Sequence, residues 1–370
     1  MGLDDYLQVT RAKYMHSAGG YMDFILAIIS SFILSLCSIG IFRPFAVRYN
    51  LVDKPNERKH HDGHVPLIGG VAVFASVAVS CSIWLPINNE LTSYLCASGL
   101  MVLLGVMDDK HELSVKFRII FQIIIATFMI VAIDSYIVDL GDVFYTGDIE
   151  LGYFGILFTY IAVIAMINAF NMVDGIDGLL GAMAINTLGA IALLLLLNKQ
   201  ENLFTVLIVV ALIPYLIFNL GFCGTKYRKI FMGDAGSMFI GFTVVWLLVT
   251  NTQGQAASFR PVTALWIVAV PLMDMAALII RRVRKGKSPF DADRDHLHHI
   301  FLRAGFSSRS ALLIIFALSV LFSFVGIAAE WLDIAESIMF FGFLGLFIIY
   351  SITILHIWKV LTIVRRFTNK

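Results

Sequence analysis

Charge is what this chain has least of. Asp, Glu, Lys and Arg make up 14% of its 370 residues, 59% of the residues are hydrophobic, and the mean hydropathy is +0.85. A soluble domain carries roughly a quarter charged residues, so the composition excludes one and points to a polytopic integral membrane protein. Cysteine is sparse too. Cys37, Cys81, Cys96 and Cys223 are scattered without CxxC spacing, which argues against a disulfide framework or a thiolate metal site and leaves core packing as their expected role. The segment ahead of Asp23 lacks a basic stretch leading to a small-residue cleavage site, so it is not read as a signal peptide. Residues 1–21 read as a polar N-terminal tail and 22–370 as a single transmembrane domain. Basic residues are dispersed among short loops, so nucleic acid is not an expected partner.

Apolar runs are abundant. A stretch of about 17–25 residues crosses a hydrocarbon layer of roughly 30 Å, and eleven can be drawn: 22–42, 66–86, 91–107, 117–134, 153–171, 179–198, 203–222, 236–252, 262–281, 309–329 and 335–358. The expected fold is therefore all-α with about eleven transmembrane helices. Orientation follows from Lys and Arg, which favour cytoplasmic loops. With the first loop inside, only Arg11, Lys13, Lys199 and Arg260 of the 27 basic residues fall outside. That asymmetry predicts a periplasmic N-terminus and a cytoplasmic C-terminus.

Acids then stand out by position. An ionised carboxylate near hydrocarbon is costly, so acids at span ends are functional candidates. After the third span comes GVMDDKHELSVKFR, with Asp108 beside Asp109. Two carboxylates roughly 5 Å apart repel by about 3 kcal/mol at an effective dielectric of 20, so a cation is expected nearby. Lys116 and Arg118 could neutralise phosphate or simply set topology. The fifth span ends in NAFNMVDGIDG, where Asn168, Asn171, Asp174 and Asp177 recur every third residue and line one side of a helical or 3₁₀ turn. Ahead of the eighth span, FMGDAGS holds Asp234 between Gly233 and Gly236, and carboxylate oxygens of this kind suit magnesium. The largest loop contains HLHH, in which His296 and His299 are spaced to share a helix face with His298 turned away. Zinc is disfavoured there because no cysteine lies close. The 135–152 loop carries Asp and Glu without Lys, Arg or His and reads as solvated surface. A secondary transporter is the rival class, but its acids belong near the midplane between inverted repeats, whereas these sit at span ends and no repeated half is visible.

Taken in order, Asp-Asp, NxxNxxDGxDG, FMGDxGS and HxHH make the chain resemble the polyprenyl-phosphate N-acetylhexosamine-1-phosphate transferases over essentially everything beyond residue 22. Ala182 stands where these proteins often carry another glycine, a departure outside the acidic motifs. The residues LVDKPNERKHH, VPLIGG and SPFDADRDHLHHIFLRAGFSSR are most similar to the branch using UDP-GlcNAc and undecaprenyl phosphate. That resemblance implies transfer of GlcNAc-1-phosphate with release of UMP and a need for Mg2+, Mn2+ being a substitute. It further implies a multi-pass protein of the bacterial inner membrane, with its active site facing the cytoplasm. The implied pathway is the first membrane step of O-antigen or enterobacterial common antigen synthesis, within lipopolysaccharide biosynthesis. Asp108, Asp109, Asp174 and Asp177 are then the candidate catalytic carboxylates and Asp234, with Asp108 and Asp177, the candidate metal ligands. Asn171, Lys116, Arg118, His296, His298 and His299 are candidate substrate contacts. Single displacement and a covalent aspartyl-phosphate both stay open, and a homodimer is a candidate assembly.

Overall fold

The computed structural model describes residues 18–53, 63–254, 257–288 and 296–356. It is an all-helical polytopic membrane protein; among the described residues nine helices are long and apolar enough to cross a bilayer, or ten if one sharply bent pair counts as a single span. In chain order the α-helices, crossing and short together, are α1 (Ala18–Arg48), α2 (Gly69–Trp84), α3 (Asn89–His111), α4 (Val115–Ile133), α5 (Phe154–Val173), α6 (Leu179–Leu197) and α7 (Leu203–Leu220). They continue with α8 (Gly233–Thr252), α9 (Pro261–Ile267), α10 (Ala269–Arg284), α11 (Leu297–Arg303), α12 (Ser308–Trp331) and α13 (Glu336–Leu355). One small antiparallel pair, β1 (Val52–Asp53) with β2 (Val65–Pro66), interrupts the helices.

The expected count of eleven spans is reduced at two places. The second run folds as α2, only 16 residues long, or about 24 Å at 1.5 Å per residue. The ninth run breaks at Val268, where α9 and α10 meet at 82°. Breaking a helix in the membrane frees backbone groups that need partners. Here the Ile267 carbonyl accepts the Ser323 hydroxyl at 3.4 Å, and Asn186 of α6 donates to Ser319 and Ser323 of α12. Pro271, in the first turn of α10, lacks an N–H where none is required.

Helix α8 is the hub, buried along nearly its whole length. Its neighbours approach through small residues, the usual route to close packing where lipid replaces water. A Cβ at Gly70 of α2 would collide with the backbone of Gly236, one at Gly105 of α3 with that of Ala235, and Gly241 lies against Ile167 of α5. Tyr94 of α3 and Thr243 of α8 share a hydrogen bond of 2.8 Å. Polar groups are segregated at the two ends of the bundle. One end gathers the acidic and histidine motifs; the other holds the 135–152 loop and a cluster in which Arg260 binds Glu330 and Asp333. Of the cysteines, Cys81 is buried as expected, but Cys37, Cys96 and Cys223 are exposed. For Cys37 and Cys96 the reason is that a spanning helix in an outer layer turns part of its apolar surface to lipid.

Candidate active site

Asp108 and Asp109 belong to a helix rather than to a loop, because α3 continues to His111. Asp108 accepts the Leu113 N–H at 2.8 Å across a turn in which Glu112 adopts positive φ. Its second oxygen pairs with Arg118 of α4 at 2.6 Å. Asp109 reaches the neighbouring helix: its carboxylate accepts the backbone N–H groups of Asp234 at 2.9 Å and Ala235 at 3.2 Å. The start of α8 is thus capped by a side chain from α3, as the free N–H groups and positive end of a helix favour. Gly233, at φ +72°, would push a Cβ into this carboxylate.

Asp234 lies in the first turn of α8, so the FMGD motif is a helix start. Asn171 of α5 donates to it at 2.6 Å and to Ser237 at 2.8 Å, and Asp108 stands beside it within hydrogen-bond reach. Three separate segments, α3, the turn between α5 and α6 and the start of α8, therefore bring like charges together. Asp174 follows α5 directly, while Asp177, in the turn before α6, pairs with Lys229 at 2.6 Å. Desolvation by the surrounding protein, then the charges of Asp234 and Asp177, push the Asp174 carboxyl up to about 7. Asn168 turns back onto its own helix, donating to the Ile164 carbonyl, so the three-residue repeat delivers its last three members rather than all four. Lys116 is exposed.

The histidines depart from helical spacing. His296 is the extended residue ahead of α11, so it shares no helix face with His299. His298 is the ring turned inward, parallel to His296 with centroids 5.9 Å apart and 4.2 Å from His299. Its imidazole lies where a Cβ on Gly175 would be, which docks the HxHH motif on the DGxDG turn. Burial, then the neighbouring His299 and His296, lower its pKa to about 3. His298 is therefore neutral near pH 7, with a buried Nε2 that has no hydrogen-bond partner among the described residues.

Sequence reasoning passed over several residues that shape the site. Buried Asn219 of α7 accepts the Gly178 N–H at 2.6 Å and donates to the Ile230 carbonyl at 2.9 Å, tying the DGxDG turn to the FMGD segment. The same segment is held by VPLIGG, since Phe231 N–H donates to Pro66 and Gly69 N–H to Phe231. Lys229 and Asp274 were missed as well. A lone carboxylate inside PLMDMAALII was signal enough for Asp274.

Among the described residues no three His, Cys, Asp or Glu side chains already form a metal-holding group. The donor chemistry nevertheless fits magnesium. Asp108 and Asp234 face each other as hard oxygen donors, and magnesium commonly takes one or two carboxylates together with substrate phosphates and water.

Comparison with known proteins agrees with this geometry. The model of glycosyl transferase family 4 matches residues 91–252, which run from α3 through α8. Undecaprenyl-phosphate alpha-N-acetylglucosaminyl 1-phosphate transferase of Salmonella typhi is 44% identical over 342 residues, 92% of this chain and 93% of its own length. The proteins of that name in Escherichia coli K12 and Haemophilus influenzae are each 42% identical, over 92% and 94% of this chain and 93% and 98% of their own lengths. With such identity along almost the entire length, the chain belongs to glycosyl transferase family 4, the polyprenyl-phosphate N-acetylhexosamine-1-phosphate transferases.

Proposed function

We propose that this protein transfers GlcNAc-1-phosphate from UDP-GlcNAc to undecaprenyl phosphate, giving undecaprenyl-diphosphate-GlcNAc and UMP. The observation that carries the reading is the gathering of Asp108, Asp109, Asp174, Asp177 and Asp234 at one end of the bundle, in a chain 44% identical to a transferase of that name. An oxygen of the acceptor phosphate attacks the sugar-bearing phosphorus of UDP-GlcNAc, and the bond to UMP breaks. A phosphate monoester has a second pKa near 6, so at neutral pH the acceptor is already largely a dianion and needs little help from a base. What the protein must supply is position and compensation of charge.

Asp234 and Asp108, with Asp177, are the residues that would hold Mg2+ or Mn2+, and a bound ion supplies neutralisation of the diphosphate. Asn171 fixes the Asp234 carboxylate, while Asp109 anchors the start of α8 and with it the position of Asp234. Arg118 and Lys229 are paired with acids at the same end, where they set the local charge balance and lie ready for phosphate. The buried Nε2 of His298, next to the DGxDG turn, is suited to a neutral hydrogen bond with substrate. The basic-residue asymmetry favours a cytoplasmic active site in the bacterial inner membrane.

The test is to incubate membranes with UDP-GlcNAc, undecaprenyl phosphate and magnesium and identify the lipid product by mass spectrometry, with UDP-GalNAc as competitor. Wild-type protein yields the GlcNAc diphospholipid and Asp234→Asn yields none while remaining folded. A product carrying another sugar, or undiminished turnover by the variant, overturns the assignment.

A further inference from the structure

Asp274 is a carboxylate buried in α10, 4% exposed, on a helix that carries none of the acidic motifs. Burying such a group costs several kcal/mol unless its oxygens are satisfied, and here both are. One oxygen receives His296 Nδ1 at 3.0 Å. The other accepts the Leu297 N–H at 3.1 Å and the Tyr350 hydroxyl of α13 at 2.6 Å. Two of these three contacts reach the start of α11, where the histidine motif begins.

We propose that Asp274, braced by Tyr350, is a positioning residue for the HxHH motif. The inference rests on the proposed transfer reaction only for its kinetic readout. An ionised carboxylate only accepts, so its bond to His296 puts a proton on Nδ1 and fixes the ring's tautomer and plane, as carboxylate–histidine pairs do elsewhere. His298 lies parallel to that ring, its imidazole seated against Gly175. One carboxylate thus sets two rings, and through them the contact with the DGxDG turn. The Leu297 contact also supplies an acceptor for a free N–H in the first turn of α11, where one is wanted. Tyr350 ties the arrangement to α13, so the break between α9 and α10 and the return of α13 together aim the histidines.

A double-mutant cycle in the full-length enzyme tests this. Asp274→Asn is expected to lower kcat/KM for UDP-GlcNAc by about 10–100-fold, the usual effect of losing a residue that orients a functional ligand, without changing KM for undecaprenyl phosphate. In a His296→Gln background the same change should cost under about twofold, because the residue it acts through is gone. Tyr350→Phe, which removes one of the three bonds, gives a smaller loss with the same dependence on His296 and carries the cycle should the Asn variant fold poorly. Equal losses in both backgrounds, or a fall in active fraction at constant KM for both substrates, overturn the proposal in favour of a merely structural acid. A second readout needs no turnover. Carbethoxylation of His296 and His298, mapped by mass spectrometry on purified protein, should be slow in wild type and faster in Asp274→Asn. Unchanged rates overturn the proposal. Absence of GlcNAc transfer by wild type overturns the functional reading alone.

Discussion

Asp109 performs two tasks that substitution can separate. Its carboxyl accepts two backbone N–H groups at the start of α8 and lies beside the acids Asp234 and Asp108. Asp109→Asn and Asp109→Ala both remove the carboxyl, so any change in repulsion with its acidic neighbours is common to them. They differ in hydrogen bonding. The Asn carbonyl oxygen retains an acceptor for at least one N–H, whereas Ala leaves both without a side-chain partner, and each buried donor so orphaned costs about 1–3 kcal/mol. The Ala variant is therefore expected to be less stable than the Asn variant by about 1–3 kcal/mol. In thermal melts in detergent at one heating rate, that is a few degrees. Both should lose at least about 100-fold in transfer, because Asp234 sits in the turn being capped. An Ala variant melting at or above the Asn variant would refute the capping argument, and normal turnover by either would refute the coupling of cap to chemistry.

Asn171 holds Asp234 by a bond of 2.6 Å, so Asn171→Ala should reduce transfer by about 10–100-fold. Asn171→Asp, which replaces a donor by a like charge, should reduce it further; the reverse order in a radiolabel assay would count against the contact. His298 has its pKa depressed to about 3 from 6.5. Below pH 6.5 the unfolded chain takes up a proton that the folded chain refuses, so this residue's share of stability is present above 6.5 and is lost as pH falls toward 3. By pH 5 the loss is about 2 kcal/mol at 1.36 kcal/mol per pH unit, and His298→Asn should flatten the melting-temperature profile between pH 6.5 and 5. An unchanged slope would assign the acid sensitivity elsewhere. Cys223 is exposed just beyond α7, on the side read as cytoplasmic. With the other three cysteines replaced, an impermeant maleimide should label it in inside-out vesicles and not in intact spheroplasts; the opposite pattern inverts the topology.

The spans were legible because hydrophobicity over 17–25 residues is a local property. Each of the eleven runs does contain helix. Failures occurred where a distant partner decides the outcome. The bend at Val268 depends on Ser323 and Asn186 accommodating a freed carbonyl, and nothing within 262–281 announces those residues. Motif boundaries failed similarly. Asp-Asp and FMGD read as loop because they are polar, yet Asp109 satisfies the first N–H groups of α8 and so lets helix extend through Gly233. The acids themselves were legible, since carboxylates beside hydrocarbon need a reason. Asp274 satisfied the same criterion but stood alone, and its meaning came only from Tyr350 and His296, 76 and 22 residues away.

Glycine spacing links this lesson to the chemistry. Gly70 and Gly105 leave room for the backbone of Gly236 and Ala235, so α2 and α3 can approach the first turn of α8 more closely than any Cβ permits. Only at that separation can the short Asp109 side chain reach N–H groups of another helix. The glycines that look like lipid-phase packing therefore also determine the spacing between Asp109 and Asp234. A larger residue at Gly105 should cost transfer before it costs the fold, because the rest of α3 still grips α8 through Tyr94 and Thr243. Overpacking of this kind typically costs about 1–3 kcal/mol, which a bundle of this size can absorb, whereas a displacement of about 1 Å at a reacting centre reduces rate by roughly 100-fold.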